Sequence, residues 1–365
     1  GKPKKHYGVQ LALYTDILER LDLCHARRPF VWDVHGREVV YDLNAPLGKR
    51  TPQSLWGLYL DKLEEARGIL GRSWETAPAC SSTCKLCHWH TECLRKLEEM
   101  QDITLLPELG RSRREALPPG IRTIKALAGT DLSSLGKVGR IGEKTLRKFV
   151  ERARLRMEPD PKPYLKEPIV LPKEETELFF DIETDPMRDI CYLHGFTVRR
   201  AGDSASEQYV PFLAERPDEA SERRAFEEAL AFIRRNRPCA LYYYAPYERT
   251  WWRKLRERYP DVATEEEIET LFAAPATVDL YTDIVRSRSE WPTRDFSIKT
   301  LARYCGFAWR DTNPSGAASI EWYHRWIDTG EPQIRQRILD YNEDDCVAMR
   351  VLVDGLNRLP IKLKP

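Results

Sequence analysis

No apolar run in this sequence approaches the about 20 residues that a membrane-crossing helix needs, and no secretory leader opens it. The first residue already falls inside what reads as a domain. Nor is there an excess of one charge: 58 Lys and Arg stand against 57 Asp and Glu, a net charge of +1. A disorder signature is also missing, since charged residues make up 32% and the hydrophobic class 42%, the balance of a soluble globular protein. The nine cysteines do not read as a disulfide framework, because four of them crowd into one short stretch. That fits a metal site in a reducing compartment, hence a cytoplasmic protein.

A length of 365 residues favours two or three domains over one. The small net charge hides an asymmetry. Residues 1–170 carry 30 Lys and Arg against 22 Asp and Glu, and the remainder 28 against 35. A basic front and an acidic back fit a polyanion-gripping part joined to a carboxylate-rich metal site, although a solvated surface gives the same tally.

The back half is organised around LFFDIETDP, Leu178 to Pro186. With period two, Leu178, Phe180 and Ile182 face one way, and Phe179, Asp181 and Glu183 face the other. The run is too apolar for a strand edge, so both carboxylates are expected to be buried. Two like charges buried side by side need neutralising, and hard oxygen ligands suit Mg²⁺ or Mn²⁺. Around this stretch, residues 176–365 read as an α/β sheet domain. CYLHGFTVRR, EQYVPF, CALYYY and TVDLY are further strands, and Phe226, Leu230 and Ile233 share one helix face. Glu248, in YAPYE, falls just past a strand end at a helix start, where α/β domains place chemistry. On its own it would be a first-turn acid meeting the helix dipole. Near the end, Ile334, Ile338, Tyr341, Asp345, Ala348 and Leu352 recur as one helical stripe. Asp345 thus sits on an apolar face with Tyr341 one turn before it, while Glu343 and Asp344 point away and are expected to be solvated.

DIE, YAPYE and YNEDD together resemble the three motifs of DnaQ-like, RNase H-fold exonucleases of the DEDDy type. The resemblance implies Asp181, Glu183, Glu248 and Asp345 as ligands of two Mg²⁺ or Mn²⁺ ions, with Tyr341 orienting the attacking water. Glu248 stands where most relatives have Asp, as the YprB-type branch allows. Asp279 in VDLY and Lys299 in FSIKTLARYCGF fit weaker family positions; physics alone makes both structural. The aromatic residues Tyr242, Tyr243, Tyr244, Trp251 and Trp252 form a candidate lip on which bases would stack, or else belong to the core.

In the front half, Leu13, Ile17 and Leu21 give a helical apolar stripe, with Gln10 and Tyr14 one turn apart. FVWDVHGREVVYDL reads as two short strands around His35 and Gly36, and 53–75 as a helix of mixed charge. Cys80, Cys84, Cys87 and Cys93 follow with spacing C-x3-C-x2-C-x5-C. Four thiols so close in sequence point to a bound metal, Zn²⁺ or an iron–sulfur cluster, while His88 and His90 read as surface residues. The Gln10–Tyr14 helix followed by these cysteines resembles RecB-like, PD-(D/E)xK nucleases with an iron–sulfur cluster. That resemblance implies a [4Fe–4S] cluster, with Zn²⁺ the alternative, pinning the end of the domain shut. It also implies acidic ligands ahead of residue 1, so this domain's active site is not expected to be complete here.

Between the halves, Gly139 and Gly142 bracket Ile141, and Lys144, Arg147 and Lys148 follow on a helix. This resembles a helix-hairpin-helix, in which glycine lets the backbone approach a phosphate; a plain helical hairpin with solubilising charges is the other reading. Met157 to Glu175 is rich in proline and charge and reads as a linker.

The expected α/β multidomain architecture is therefore a partial RecB-like domain with its cysteine cluster (1–98), a helix-hairpin-helix segment (99–157), a linker (158–175) and an RNase H-like DEDDy domain (176–365). It implies a 3′–5′ exonuclease on single-stranded DNA or DNA ends, with a helicase or another nuclease subunit as a partner and no membrane. An RNA-directed exonuclease is one alternative. A non-catalytic nucleic-acid-binding subunit is the other.

Overall fold

The computed structural model describes residues 4–33, 36–48, 51–81, 83–84, 87–135, 138–139, 141–312 and 314–362. They fall into two compact units, Gly1–Pro78 and Ala79–Pro365. The predicted first segment, 1–98, is thus divided, and the cysteine stretch lies in the second unit.

In the first unit, helix α1 (Lys5–Arg20) is followed by an antiparallel pair, β1 (Phe30–Trp32) and β2 (Glu38–Val40). A second pair, β3 (Pro46–Gly48) and β4 (Thr51–Ser54), leads into α2 (Leu55–Leu70). The first pair matches the two strands read from the sequence; His35 at its turn lies outside the described residues. Ser54 caps α2 by accepting from the Gly57 N–H at 3.1 Å. Helix α1 packs through its small residues, burying Gly8, Ala12 and Thr15. Leu13, Ile17 and Leu21 are on the other side, 40%, 46% and 61% exposed. The reason is steric. A methyl group on Gly8 would come within 2.7 Å of the Leu55 side chain, so the small face lets α1 approach α2 most closely.

The second unit opens with a helical layer: α3 (His90–Glu99), α4 (Gly110–Ala116), α5 (Ile124–Ala128) and α6 (Glu143–Met157). Leu97, Ile103, Leu106, Leu127, Leu146 and Phe149 form its core. Then follow β5 (Tyr164–Leu165), β6 (Thr176–Asp185), β7 (Ile190–Arg200), β8 (Asp203–Leu213), α7 (Glu219–Asn236), β9 (Ala240–Tyr243), α8 (Tyr247–Arg258), α9 (Glu265–Leu271) and β10 (Thr277–Asp279). A π-helical turn at Leu280–Val285 leads to α10 (Arg286–Arg288), β11 (Ser289–Glu290), α11 (Ile298–Tyr304), α12 (Gly316–Thr329) and α13 (Pro332–Leu356).

Five strands make the main sheet in the order β10-β9-β6-β7-β8. Strands β6, β7 and β8 run antiparallel, while β9 is parallel to β6 and β10 to β9. The alternation read in LFFDIE separates its two faces. Leu178, Phe180 and Ile182 pack with Phe226, Leu230 and Trp252 of α7 and α8; Phe179 packs with Tyr242 and with Met349, Leu352 and Val353 of α13. The sheet is therefore covered on both sides, and β6 is central to it. This places the carboxylates of β6 beneath α13.

The stretch predicted as a linker contains β5, which pairs antiparallel with β11. A buried ion network joins the same region to the helical layer. Arg152 of α6, 1% exposed, donates to Glu290 at 2.6 Å and to the Pro107 carbonyl at 2.7 Å. Lys166 reaches the other Glu290 oxygen at 3.0 Å. Glu108 accepts from Arg152, Lys148 and Arg286 at 3.1, 2.8 and 2.8 Å.

Candidate active site

Asp181 and Glu183 project from one side of β6, and α13 brings Asp345 to them. One oxygen from each lies within 4.8 Å of one from each of the others. Helix α13 comes this close because β7 carries Gly195 opposite Asp181. A Cβ at Gly195 would stand 1.6 Å from Asn342 Oδ1, so only glycine leaves room for Asn342. That asparagine donates its amide to Asp181 Oδ2 at 2.7 Å and accepts from the Tyr209 hydroxyl at 2.8 Å, which fixes both ends of the amide. Trp309 donates its indole N–H to Asp345 Oδ1 at 2.7 Å. Tyr192 lies 3.4 Å from Glu183 Oε2 and bonds Ser319 at 2.7 Å. Glu248, in the first turn of α8, is buried with Oε2 lacking any hydrogen-bond partner.

Burial and mutual repulsion raise the proton affinity of all four carboxyls. Asp181 is pushed well above the ordinary range by burial, then by Asp345, Glu183 and Glu248. Glu183 is pushed up to about 8 by burial and then Asp345. Glu248 is raised well above its usual value, chiefly by burial. Asp345 is also raised by burial, with Lys299 and the Trp309 bond opposing it. Lys299 meanwhile donates to Tyr341 Oη at 2.8 Å and to the Pro314 carbonyl at 2.9 Å. One lysine does not balance four carboxylates. Converging hard oxygens with an orphaned buried acceptor beside them fit divalent cations of the Mg²⁺ or Mn²⁺ kind. Glu248 stands outside the 4.8 Å group and joins it electrostatically.

The helical stripe read in the sequence is buried throughout, from Ile334 to Leu352, with Tyr341 4% and Asp345 8% exposed. Other expectations need correction. Asp344 is not solvated: it is 5% exposed and accepts from Arg310 N and Nε at 2.7 and 2.8 Å. Glu343 pairs with Arg310 as well, at 2.7 Å. Tyr242, Tyr243, Trp251 and Trp252 are core residues, because their strand is covered on both faces and the two tryptophans lie on the inward side of α8; Tyr244 is half-buried. Lys299 is placed within the site by its bond to Tyr341. Asp279 has a loop role, accepting from Ala245 N at 2.9 Å and Thr282 N at 3.0 Å. Sequence reasoning missed Gly195, Trp309 and Asn342. Asn342 carried a signal, since it precedes Asp345 by one helical turn.

At the glycine hairpin, Gly139 has φ +49° and Gly142 is the N-cap of α6. Lys144 is exposed and Arg147 pairs with Glu143 at 2.8 Å. Lys148 is turned inward onto Glu108, so it does not face a phosphate there. In the cysteine stretch, Cys84 Sγ accepts from Ser81 N at 3.3 Å and Cys80 N donates to Thr104 at 2.9 Å. Among the described residues, the acidic triad is the one group of three or more potential ligands converging within 4.8 Å.

No helix among the described residues is long and apolar enough to cross a membrane. No curated protein and no solved structure matches the chain. Residues 178–357 do match the family model of the RNase H superfamily, a stretch that runs from β6 through α13 and contains every carboxylate of the site. The C-terminal region of this chain is an RNase H-like domain, of the superfamily whose nucleases use divalent metals on nucleic acids.

Proposed function

We propose that this domain is a metal-dependent 3′–5′ exonuclease of the DEDDy type, trimming single-stranded DNA or DNA ends. The observation that carries the reading is the pairing of Tyr341 with Lys299 at 2.8 Å beside the acidic triad. Asp181, Glu183 and Asp345 would hold the divalent ions, with Glu248 completing the shell. When bound, such ions supply Lewis acidity that activates water and stabilises the leaving oxygen. The chain's own residues orient the rest. Tyr341 keeps its proton, because burial and then Asp345, Glu183 and Asp181 oppose its ionisation. Its hydroxyl accepts from Lys299 and donates toward Asp345, and its remaining lone pair would accept from the attacking water. Asn342 and Trp309 hold the Asp181 and Asp345 carboxylates in register. The test is Mg²⁺- or Mn²⁺-dependent shortening of 5′-labelled single-stranded DNA and RNA by wild type and Asp181→Ala. Shortening of DNA that disappears in the variant supports the reading; binding without trimming of either polymer would indicate a gripping subunit instead.

For the cysteines we propose a structural [4Fe–4S] cluster held by Cys80, Cys84, Cys87 and Cys93. Support comes from four thiols within 14 residues. A brown protein with stoichiometric iron is expected; a colourless zinc-loaded one refutes it. The glycine hairpin would offer backbone N–H groups near Gly139 and Gly142, with Lys144 and Arg147, to a phosphate. Such binding would weaken steeply with salt.

A further inference from the structure

A cavity of about 710 Å³ opens at the carboxyl ends of β9 and β10. One wall comes from the sheet domain through Tyr244, Ala245, Tyr281 and Arg294; the other comes from the cysteine stretch and the turn around Pro107. The second wall lies outside the stretch matched by the RNase H superfamily. The cavity adjoins the active site along the chain in two places. Ala245 precedes Glu248 by three residues, and Ser297, also in the wall, precedes Lys299 by two. The loop between them is held under strain: Ala245 adopts φ +74°, with its N–H donated to Asp279. The chain after Asp279 takes the rare π-helical form, and it presents Tyr281 to the cavity.

We infer that this cavity binds the single-stranded part of the nucleic-acid substrate, upstream of the bond presented to the carboxylates. The inference rests on the nuclease reading above and adds a binding site to it. Ligands of open α/β sheets sit outside the carboxyl ends of strands, where Tyr244 and Ala245 after β9 and Tyr281 after β10 line this space. Its size falls in the range of about 300–1,000 Å³ that suits small organic groups. Two tyrosine rings and Arg294 in its wall suit bases on a phosphate chain; of the two acids in the wall, Glu108 and Asp295, the first is neutralised by Lys148, Arg152 and Arg286. Tyr244 and Tyr281 have ring centroids 5.7 Å apart, and the Tyr244 hydroxyl is anchored on the Phe296 carbonyl, so Tyr281 is the ring left to stack. Arg294 is 45% exposed and paired only at the surface, with Glu98 at 3.1 Å; such a pair yields easily to a phosphate.

The test uses the full chain carrying Asp181→Asn, and measures fluorescence anisotropy of a labelled 12-residue oligothymidine with Ca²⁺ present. Adding Tyr281→Ala is expected to weaken binding at least about five-fold, the lower end of what removing one stacked ring costs. Arg294→Ala should weaken it and flatten its salt dependence, and Tyr281→Phe should bind within about two-fold of the parent. Unchanged affinity in Tyr281→Ala overturns the inference. So does equal weakening by Tyr281→Phe, because the ring would then not hold the base. If wild type trims nothing but oligothymidine binding depends on the Tyr281 ring, the exonuclease reading falls while the binding site stands.

Discussion

Trp309 donates to Asp345 from outside α13, and the next residue, Arg310, grips Asp344 on the same helix turn. The loop therefore holds one oxygen of the carboxylate proposed to bind metal. Trp309→Phe keeps the packing and removes the N–H. The expected result is a Mg²⁺ requirement raised about 10- to 100-fold, read from the metal-concentration dependence of trimming, with an unchanged circular dichroism spectrum.

Without metal, the clustered carboxylates should make stability depend on pH in an unusual direction. A carboxyl whose folded-state affinity for protons is raised stabilises the fold fully while protonated in both states. Glu183 moves from 4.5 to about 8 on folding, so its contribution is lost as pH climbs through that window. Melting temperature in EDTA should fall from pH 5 to pH 8 (about the two ends of that window), and saturating Mg²⁺ should restore it most at the upper end. A flat profile in EDTA would sink the account.

Removing the repulsion separates stability from activity. Asp181→Asn should raise the melting temperature of metal-free protein by a few degrees while abolishing trimming, since the amide keeps the Asn342 contact but weakens metal binding.

Tyr341 and Lys299 should behave as one unit. Tyr341→Phe and Lys299→Met are each expected to slow trimming by about 10- to 100-fold, and the double variant scarcely further, because each single change already breaks the 2.8 Å bond. A fully multiplicative double variant would show that the two act separately.

The Arg152–Glu290 pair offers a stability test remote from the carboxylates. Arg152→Met leaves Glu290, 0% exposed, with Lys166 alone. A loss of about 3–5 kcal/mol is expected in denaturant unfolding, the usual cost of stranding a buried charge.

The sheet domain was legible in the sequence wherever a local period decided the outcome. LFFDIE separates two core faces by alternation alone, and the α13 stripe places Asp345 inward by helical spacing. Contacts between distant segments were not legible. Trp309 and Gly195 owe their roles to where α13 lands on β7, which no local pattern encodes. Asp344 looked solvated because its partner, Arg310, approaches from a separate loop. The tyrosines of β9 were ambiguous for a related reason: a strand covered on both faces buries every residue, so aromatic content says nothing about a lip. Helix α1 misled differently, since its packing follows the smallest side chains and not the most apolar ones.

The Arg152–Glu290 bond also bears on how this protein can be dissected. A fragment cut at residue 176, where composition suggests a clean break, would lose the arginine, Lys166 and the short strand that covers Glu290. Such a piece would carry a bare acid in its interior and a missing sheet edge. The excised C-terminal half should aggregate or melt early, whereas expression from Ala79 onward keeps every partner of that acid in one polypeptide.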